Sequence, residues 1–260
     1  MNQQSHTVRR ASERRADLMR TLAASGKIDA AAAAREMNVT TETVRKDLIA
    51  LENQGRLRRV HGGAVPIEAL TFEPEVEART DYAEEKRRIA AAAVEFLPRT
   101  GSALMDAGST VAVLAGLLPM DSALQFYVNA LPTAQALLRL PEARVELLGG
   151  TLRRPTVATV GDSVTRALEE INVDVAFLGT NGISFERGLT TPQPDEAAVK
   201  RRMLASAERR ILLADRSKIG LVRGAQHATL RDIDVLITDV GLDREQRRRL
   251  ESFGITVVMA

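Results

Sequence analysis

Two groups of residues in this chain have types and spacings suited to chemistry. The first is Asp106-Ala107-Gly108-Ser109-Thr110, where an apolar strand gives way to a helix. Glycine lets a backbone approach an anion, Ser109 and Thr110 add hydroxyls, and the following helix aims its N–H groups and positive dipole end at the same spot. Alone, such a run reads as a capped helix. Other loops after predicted strands make it a candidate ligand rim: Asn129, Gly149-Gly150, Gly179-Thr180-Asn181-Gly182 and Asp215-Arg216-Ser217-Lys218. Lys200, on the helix after the Gly179 loop, reaches toward the same rim, and with Lys218 it adds charge for a phosphate. Singly, each lysine reads as solvated surface; together the set points to a phosphate-bearing ligand.

The second group is Thr41, Thr43, Arg45, Lys46, Arg58, Arg59 and His61. A helix that reads duplex DNA presents donors to base edges from its N-terminal end while its other face stays apolar. Arg45 suits bidentate contact with a guanine, and Lys46 adds charge beside it. Thr41 and Thr43 are short donors for phosphate or a thymine methyl. Arg58, Arg59 and His61 suit the backbone or the minor groove. Asp47 fits DNA poorly and is expected to orient a neighbouring arginine or to face inward.

The elements that must position these groups follow from periodicity. Apolar residues at helical spacing from Arg9 to about Ala24 give a first helix, ended by Ser25-Gly26. Asp29 caps a second helix to Met37, and Thr40 caps a third in which Val44, Leu48 and Leu51 share the core face. Gly55 stops that helix. Arg56 to His61 alternates in part and Gly62-Gly63 supplies a turn, so a basic hairpin closes the unit. The order is a helix-turn-helix with a wing, and it implies double-stranded DNA as partner. Residues 1–65 form this domain and 66–80 a linker. From 81 to 260, near-continuous apolar strands alternate with helices, the pattern of an α/β domain with a parallel sheet covered on both faces.

Composition agrees. Residues 1–65 hold 12 basic and 7 acidic residues, leaving 24 basic and 27 acidic in the remainder. Positive charge is therefore concentrated on the segment with the DNA-reading pattern. There is no cysteine, which excludes disulfides and thiolate metal sites. His6, His61 and His227 lack metal-ligand spacing. No metal and no cofactor are expected. No apolar run spans a bilayer and the N-terminus lacks a signal-peptide core, so no membrane partner is expected and the default location is the cytoplasm.

Thr43-Val44-Arg45-Lys46-Asp47-Leu48, then Leu51-Glu52, Gly55, Leu57, Arg59 and His61-Gly62-Gly63-Ala64, resembles the N-terminal signature of DeoR-type transcriptional regulators. Thr40 stands where that family usually has serine, and Lys46 where arginine is common; lysine keeps the charge but weakens a bidentate contact. The resemblance extends through DAGST, Asn129, LLGG, GTNGIS, Glu196 to Lys200 and DRSK. It implies an effector domain similar in fold to ribose-5-phosphate isomerase, which senses a phosphorylated sugar. The segment GLTTPQPDEAAVK is most similar to regulators of fructose, hexose or glycerol use.

The expected function is a repressor of a sugar or polyol operon, relieved by a sugar phosphate. The sequence also leaves two alternatives open. One is a sugar-phosphate isomerase with a DNA-binding arm. The resemblance places the isomerases' paired aspartates near Gly179 to Gly182, where this chain has none, leaving Asp106 and Glu196 as possible bases. The other is an architectural DNA-binding protein with little sequence preference. Paired operator half-sites imply a homo-oligomer, dimer or tetramer, assembled through the larger domain.

Overall fold

The computed structural model describes residues 11–53, 56–60, 62–66 and 82–260. The chain divides into two compact units, Met1–Phe72 and Glu73–Ala260. His61, Gly55 and residues 67–80 of the expected linker lie outside the described residues.

In the smaller unit, α1 (Ala11–Ser25), α2 (Ala30–Glu36) and α3 (Thr41–Asn53) enclose one core. Leu18 and Leu22 of α1, Ala33 and Ala34 of α2, and Val44, Leu48 and Leu51 of α3 are all buried. The helices begin where the caps were expected. Asp29 accepts from the Ala32 N–H at 2.7 Å, and Thr40 Oγ1 from the Thr43 N–H at 3.1 Å. Asn38, between α2 and α3, takes φ +52°, a turn conformation asparagine tolerates.

The wing holds a strand the sequence did not reveal. β2 (Arg58–Val60) and β3 (Gly63–Val65) form the expected hairpin, but β1 (Ile28–Asp29) pairs with the outer side of β3, giving a sheet of order β1-β3-β2. Two residues cannot display a period, so β1 left no signal. Gly62 turns the hairpin at φ +78°. Gly63 lies so close to β1 that a β-carbon there would collide with the Ile28 carbonyl oxygen and come within 2.8 Å of its carbonyl carbon. Ala64 is fully buried beside it.

The larger unit contains the expected helices and parallel strands: α4 (Ala83–Val94), β4 (Ser102–Met105), α5 (Ser109–Leu117), β5 (Gln125–Val128), α6 (Leu131–Leu137) and β6 (Arg144–Leu147). Two short strands follow, β7 (Thr151–Arg153) and β8 (Ala158–Val160), then α7 (Asp162–Glu169) and β9 (Val173–Gly179). After these come β10 (Gly182–Ser184), β11 (Gly188–Thr191), α8 (Pro194–Ala205), β12 (Ala207–Leu213), β13 (Ala225–Ala228), β14 (Val235–Thr238), α9 (Arg244–Glu251) and β15 (Thr256–Met259). Seven strands make one parallel sheet of order β15-β14-β12-β9-β4-β5-β6. Its two faces bury separate clusters: Val175, Phe177, Ile211 and Leu213 on one side, Ala176, Leu178, Leu212 and Leu236 on the other. That double burial is why the strands read as near-continuous apolar runs. The β7-β8 ribbon and the antiparallel sheet β10-β11-β13 were not anticipated.

The strand order fixes the site. From β4 the chain winds outward through β5 to β6; from β9 it winds the other way through β12, β14 and β15. Loops leaving the C-terminal ends of β4 and β9 therefore diverge, and the crevice between them is the topological switch point where open α/β sheets bind ligands. No helix among the described residues is long and apolar enough to cross a membrane.

Candidate functional site

At the switch point Asp106 follows β4 directly and Gly179 ends β9. Asp106 Oδ2 accepts from the Gly179 N–H at 3.0 Å and pairs with Lys200 Nζ, which also donates to the Gly179 carbonyl at 3.0 Å. Lys200 is 2% exposed and Asp106 1%. Neither lysine nor aspartate is solvated surface, then: the ammonium is neutralised inside the crevice wall. A buried charge pair survives only when its remaining hydrogen-bonding capacity is met, and here the Gly179 backbone supplies part of it on both sides.

Asn129 holds the same position after β5 that Asp106 holds after β4, because Met105 and Val128 are register partners. Its Nδ2 donates to the Thr159 carbonyl at 3.1 Å. Asp106 Oδ1 and Asn129 Oδ1 are both buried acceptors without a donor from the protein. Beside them Gly108, at φ +143°, leads into α5, with Ser109 half-buried and Thr110 buried. The first amides of α5 have no carbonyl to bond within the helix. The rim thus offers amide donors at one end and oxygen acceptors at the other.

The remaining predicted residues divide between lining and scaffold. Thr180 Oγ1 lies within 3.0 Å of the Thr190 carbonyl, 3.1 Å of the Gly182 carbonyl and 3.1 Å of His227 Nε2. Its single proton goes to a carbonyl, so the oxygen accepts from the imidazole; this assigns the Nε2–H tautomer. Asn181 Oδ1 lies 3.1 Å from Thr191 Oγ1, whose single proton goes to the nearer Glu196 carboxylate. A β-carbon at Gly150 or Gly182 would fall 2.7 Å or less from a neighbour, so both are packing positions; Gly149 has open space there. Asp215 is buried and caps a turn of 3-10 helix, accepting from Ser217 N at 3.0 Å, and Lys218 Nζ stands 3.8 Å from it. Glu196 accepts from Thr191 Oγ1 at 2.7 Å and Arg153 at 3.2 Å, which ties the β7-β8 ribbon to the start of α8.

His227 was missed as a site residue. It is fully enclosed: burial, then the positive charges of Lys200 and Arg201, hold its pKa well below the ordinary value. Folded protein therefore resists a proton that the unfolded chain takes up at about pH 6.5. The resulting stabilisation is complete above that pH and declines as pH falls toward the lowered folded value. Thermal unfolding at pH 7.5 and 5.5 is expected to show a smaller acid loss for His227→Gln than for wild type. Equal losses would mean that carboxylates alone set the acid limit.

In the smaller unit, Arg45 and Lys46 of α3 are exposed and Thr41 and Thr43 half-buried. Arg45 stands 3.7 Å from Glu42, a loose pair that leaves its guanidinium available, while the Thr43 hydroxyl is 2.8 Å from Thr40 Oγ1. Asp47 both faces inward and orients arginines: Arg14 Nε lies 2.7 Å and Arg15 Nε 3.1 Å from its two oxygens. Arg59 is anchored through its backbone N–H and Nε to Glu52 at 3.1 and 2.7 Å, and Arg58 is 3.7 Å from the same carboxylate.

Residues 14–69 match a DeoR-like helix-turn-helix domain, and residues 81–240 match a DeoR C terminal sensor domain. The HTH-type transcriptional regulator GlpR of Haloferax volcanii is 41% identical over 217 residues, covering 83% of this chain and 85% of that one. A putative aga operon transcriptional repressor of Escherichia coli O157:H7 is 32% identical across 95% of this chain and 93% of its own. Among solved structures, ribose 5 phosphate isomerase A from Neisseria gonorrhoeae aligns at a TM-score of 0.37 and 18% identity, covering 53% of each chain.

Proposed function

The chain belongs to the DeoR family of transcriptional regulators, and from that premise we propose that it is a repressor of a sugar or polyol operon released by a phosphorylated sugar. The observation that carries the reading is the pair of buried, donorless oxygens, Asp106 Oδ1 and Asn129 Oδ1, at the ends of adjacent strands. Unmet buried acceptors are costly. A polyol chain meets both with its hydroxyls, while Gly108, Ser109 and Thr110 at the start of α5 receive a phosphate. Lys218 and the Thr180 to Gly182 loop border the same rim. Catalysis is disfavoured because the carboxylates a proton abstraction would use are engaged, Asp106 by Lys200 and Glu196 by Arg153 and Thr191. We place the protein in the cytoplasm, acting as a homo-oligomer on operator DNA.

Ligand binding shifts DNA affinity only through differential affinity for two states of the protein. The test is an anisotropy titration on the DNA upstream of the protein's own gene, adding fructose, glucose, glycerol, tagatose and deoxyribose phosphates in turn. One of them is expected to weaken operator binding; no effect from any sugar phosphate would remove the sensing half of the proposal. In the same assay Arg45→Ala should cost about 1–3 kcal/mol of operator binding and relax preference at one base pair. A uniform loss across all sequences would instead assign Arg45 to phosphate. A small specificity ratio for the wild type at moderate salt would favour the architectural alternative.

A further inference from the structure

We propose that the open edge of β6, with the apolar residues flanking it, is the surface through which two copies of this chain pair. Eight large apolar side chains are exposed among the described residues, and six come from the stretch that runs from α5 through β6 to β7: Leu117, Met120, Leu131, Leu138, Leu147 and Leu152. These elements pack on one another. Arg139, after α6, bonds the Ala115 and Leu118 carbonyls at the end of α5 and approaches Met120 Sδ at 3.2 Å. The Leu131 N–H, at the start of α6, donates to the Val157 carbonyl of the β7-β8 ribbon at 3.0 Å. Leu131, at the start of α6, and Leu138, its C-cap, are seven residues apart on one line of the helix surface, and both stay exposed beside buried Ala134 and Leu137.

β6 closes one side of the seven-stranded sheet with no partner beyond it among the described residues. Its phase is fixed by two bonds, Arg144 N–H to the Leu124 carbonyl at 3.1 Å and Leu148 N–H to the Val128 carbonyl at 2.8 Å. Even-numbered residues therefore bond β5, and Val145 and Leu147 send their N–H and C=O groups outward. An open edge of this kind, flanked by apolar side chains, is a template for another strand.

The strand that fits is its own copy. Two β6 strands set antiparallel about a two-fold axis at Val145 place that residue opposite itself, exchanging a pair of backbone hydrogen bonds. The same axis sets Arg144 opposite Glu146 on each side, and both residues are exposed in the single chain. Opposite charges facing across a non-hydrogen-bonded pair stabilise the pairing twice. The contact is isologous and closed, so it yields a discrete dimer and not a fibre. It joins two sheets into one and leaves the crevice between β4 and β9, two strands inward, unobstructed.

The inference rests on the regulator reading only in that a helix-turn-helix reads half-sites in pairs, and its test needs no DNA. Sedimentation velocity of the full chain at micromolar concentration should show a dimer, or a tetramer in which this edge forms one of two kinds of interface. Arg144→Glu is expected to weaken association about tenfold or more and halve the assembly, while Arg144→Glu with Glu146→Arg restores it. Leu138→Glu should also weaken it, with thermal unfolding of each variant confirming the fold. A monomeric wild type, unchanged association of Arg144→Glu, or failure of the double exchange to restore pairing would overturn the proposal. A wild type that is monomeric yet binds its operator sinks this surface and leaves the regulator reading standing. Dimerisation through this edge without specific DNA binding does the reverse.

Discussion

Lys200→Met is expected to destabilise the larger unit by about 3–5 kcal/mol, the range for removing one partner of a buried ion pair. The lysine and Asp106 are nearly excluded from solvent, and both are tied to the backbone of Gly179. Methionine fills similar volume, so the loss reports charge and not cavity. It leaves a carboxylate with a single protein donor, the Gly179 N–H, in a crevice wall that also contains the unmet Asn129 Oδ1. The measurement is calorimetric unfolding of the full chain, following the transition of the larger unit separately because two compact units need not unfold together. Adding Asp106→Asn to Lys200→Met removes the stranded charge and should recover more than half of the loss. A deficit below about 1 kcal/mol would mean that the pair is accessible to water and behaves as a surface bridge.

That pair shows where sequence reasoning stopped. Asp106 was legible because it stands between an apolar strand and a Gly-Ser-Thr turn, a purely local pattern. The environment of Lys200 was not, since on α8 it follows Glu196 by one turn and the two charges together mimic a solvated face. A signal was present one turn further on: Met203 and Leu204 continue the same stripe and are buried. Charged residues on a stripe that ends in apolar ones have to be paired within the fold. His227 offered no local signal, as its enclosure depends on β13 pairing with β11, whose partner residues are far apart in sequence.

The helices and parallel strands were readable for a similar reason. Val44, Leu48 and Leu51 repeat at the period of a helix, and Val173 to Leu178, apolar but for Asp174, is long enough to read as a strand. β7, β8, β10, β11 and β13 have three or four residues each, and β11 is buried along its whole length, so no alternation marks it. The switch point itself is a property of strand order, and order is decided by packing across the sheet. The sequence placed the rim loops at strand ends; only the topology brings the loops after β4 and β9 together.

Gly63→Ala is expected to lower operator affinity at least tenfold while leaving the larger unit's unfolding transition in place. The β-carbon has nowhere to go. It meets the Ile28 carbonyl, and Ile28 and Asp29 are paired with Ala64 and Gly63 in the β1-β3 ladder. Moving β1 away also moves Asp29, whose carboxylate caps α2 through the Ala32 N–H. One methyl group therefore strains the wing and the helix ahead of the turn together, and such overpacking costs about 1–3 kcal/mol or more. Gly62→Ala is the matched control. That position has a left-handed φ of +78° but open space around a β-carbon, so only the backbone preference of about 1 kcal/mol is lost. The order of effects separates two explanations for the adjacent glycines. Greater damage at Gly63 means that the pair exists to bring β3 against β1. Equal or greater damage at Gly62 would mean that the turn alone holds the wing, and the short strand β1 contributes nothing to DNA binding.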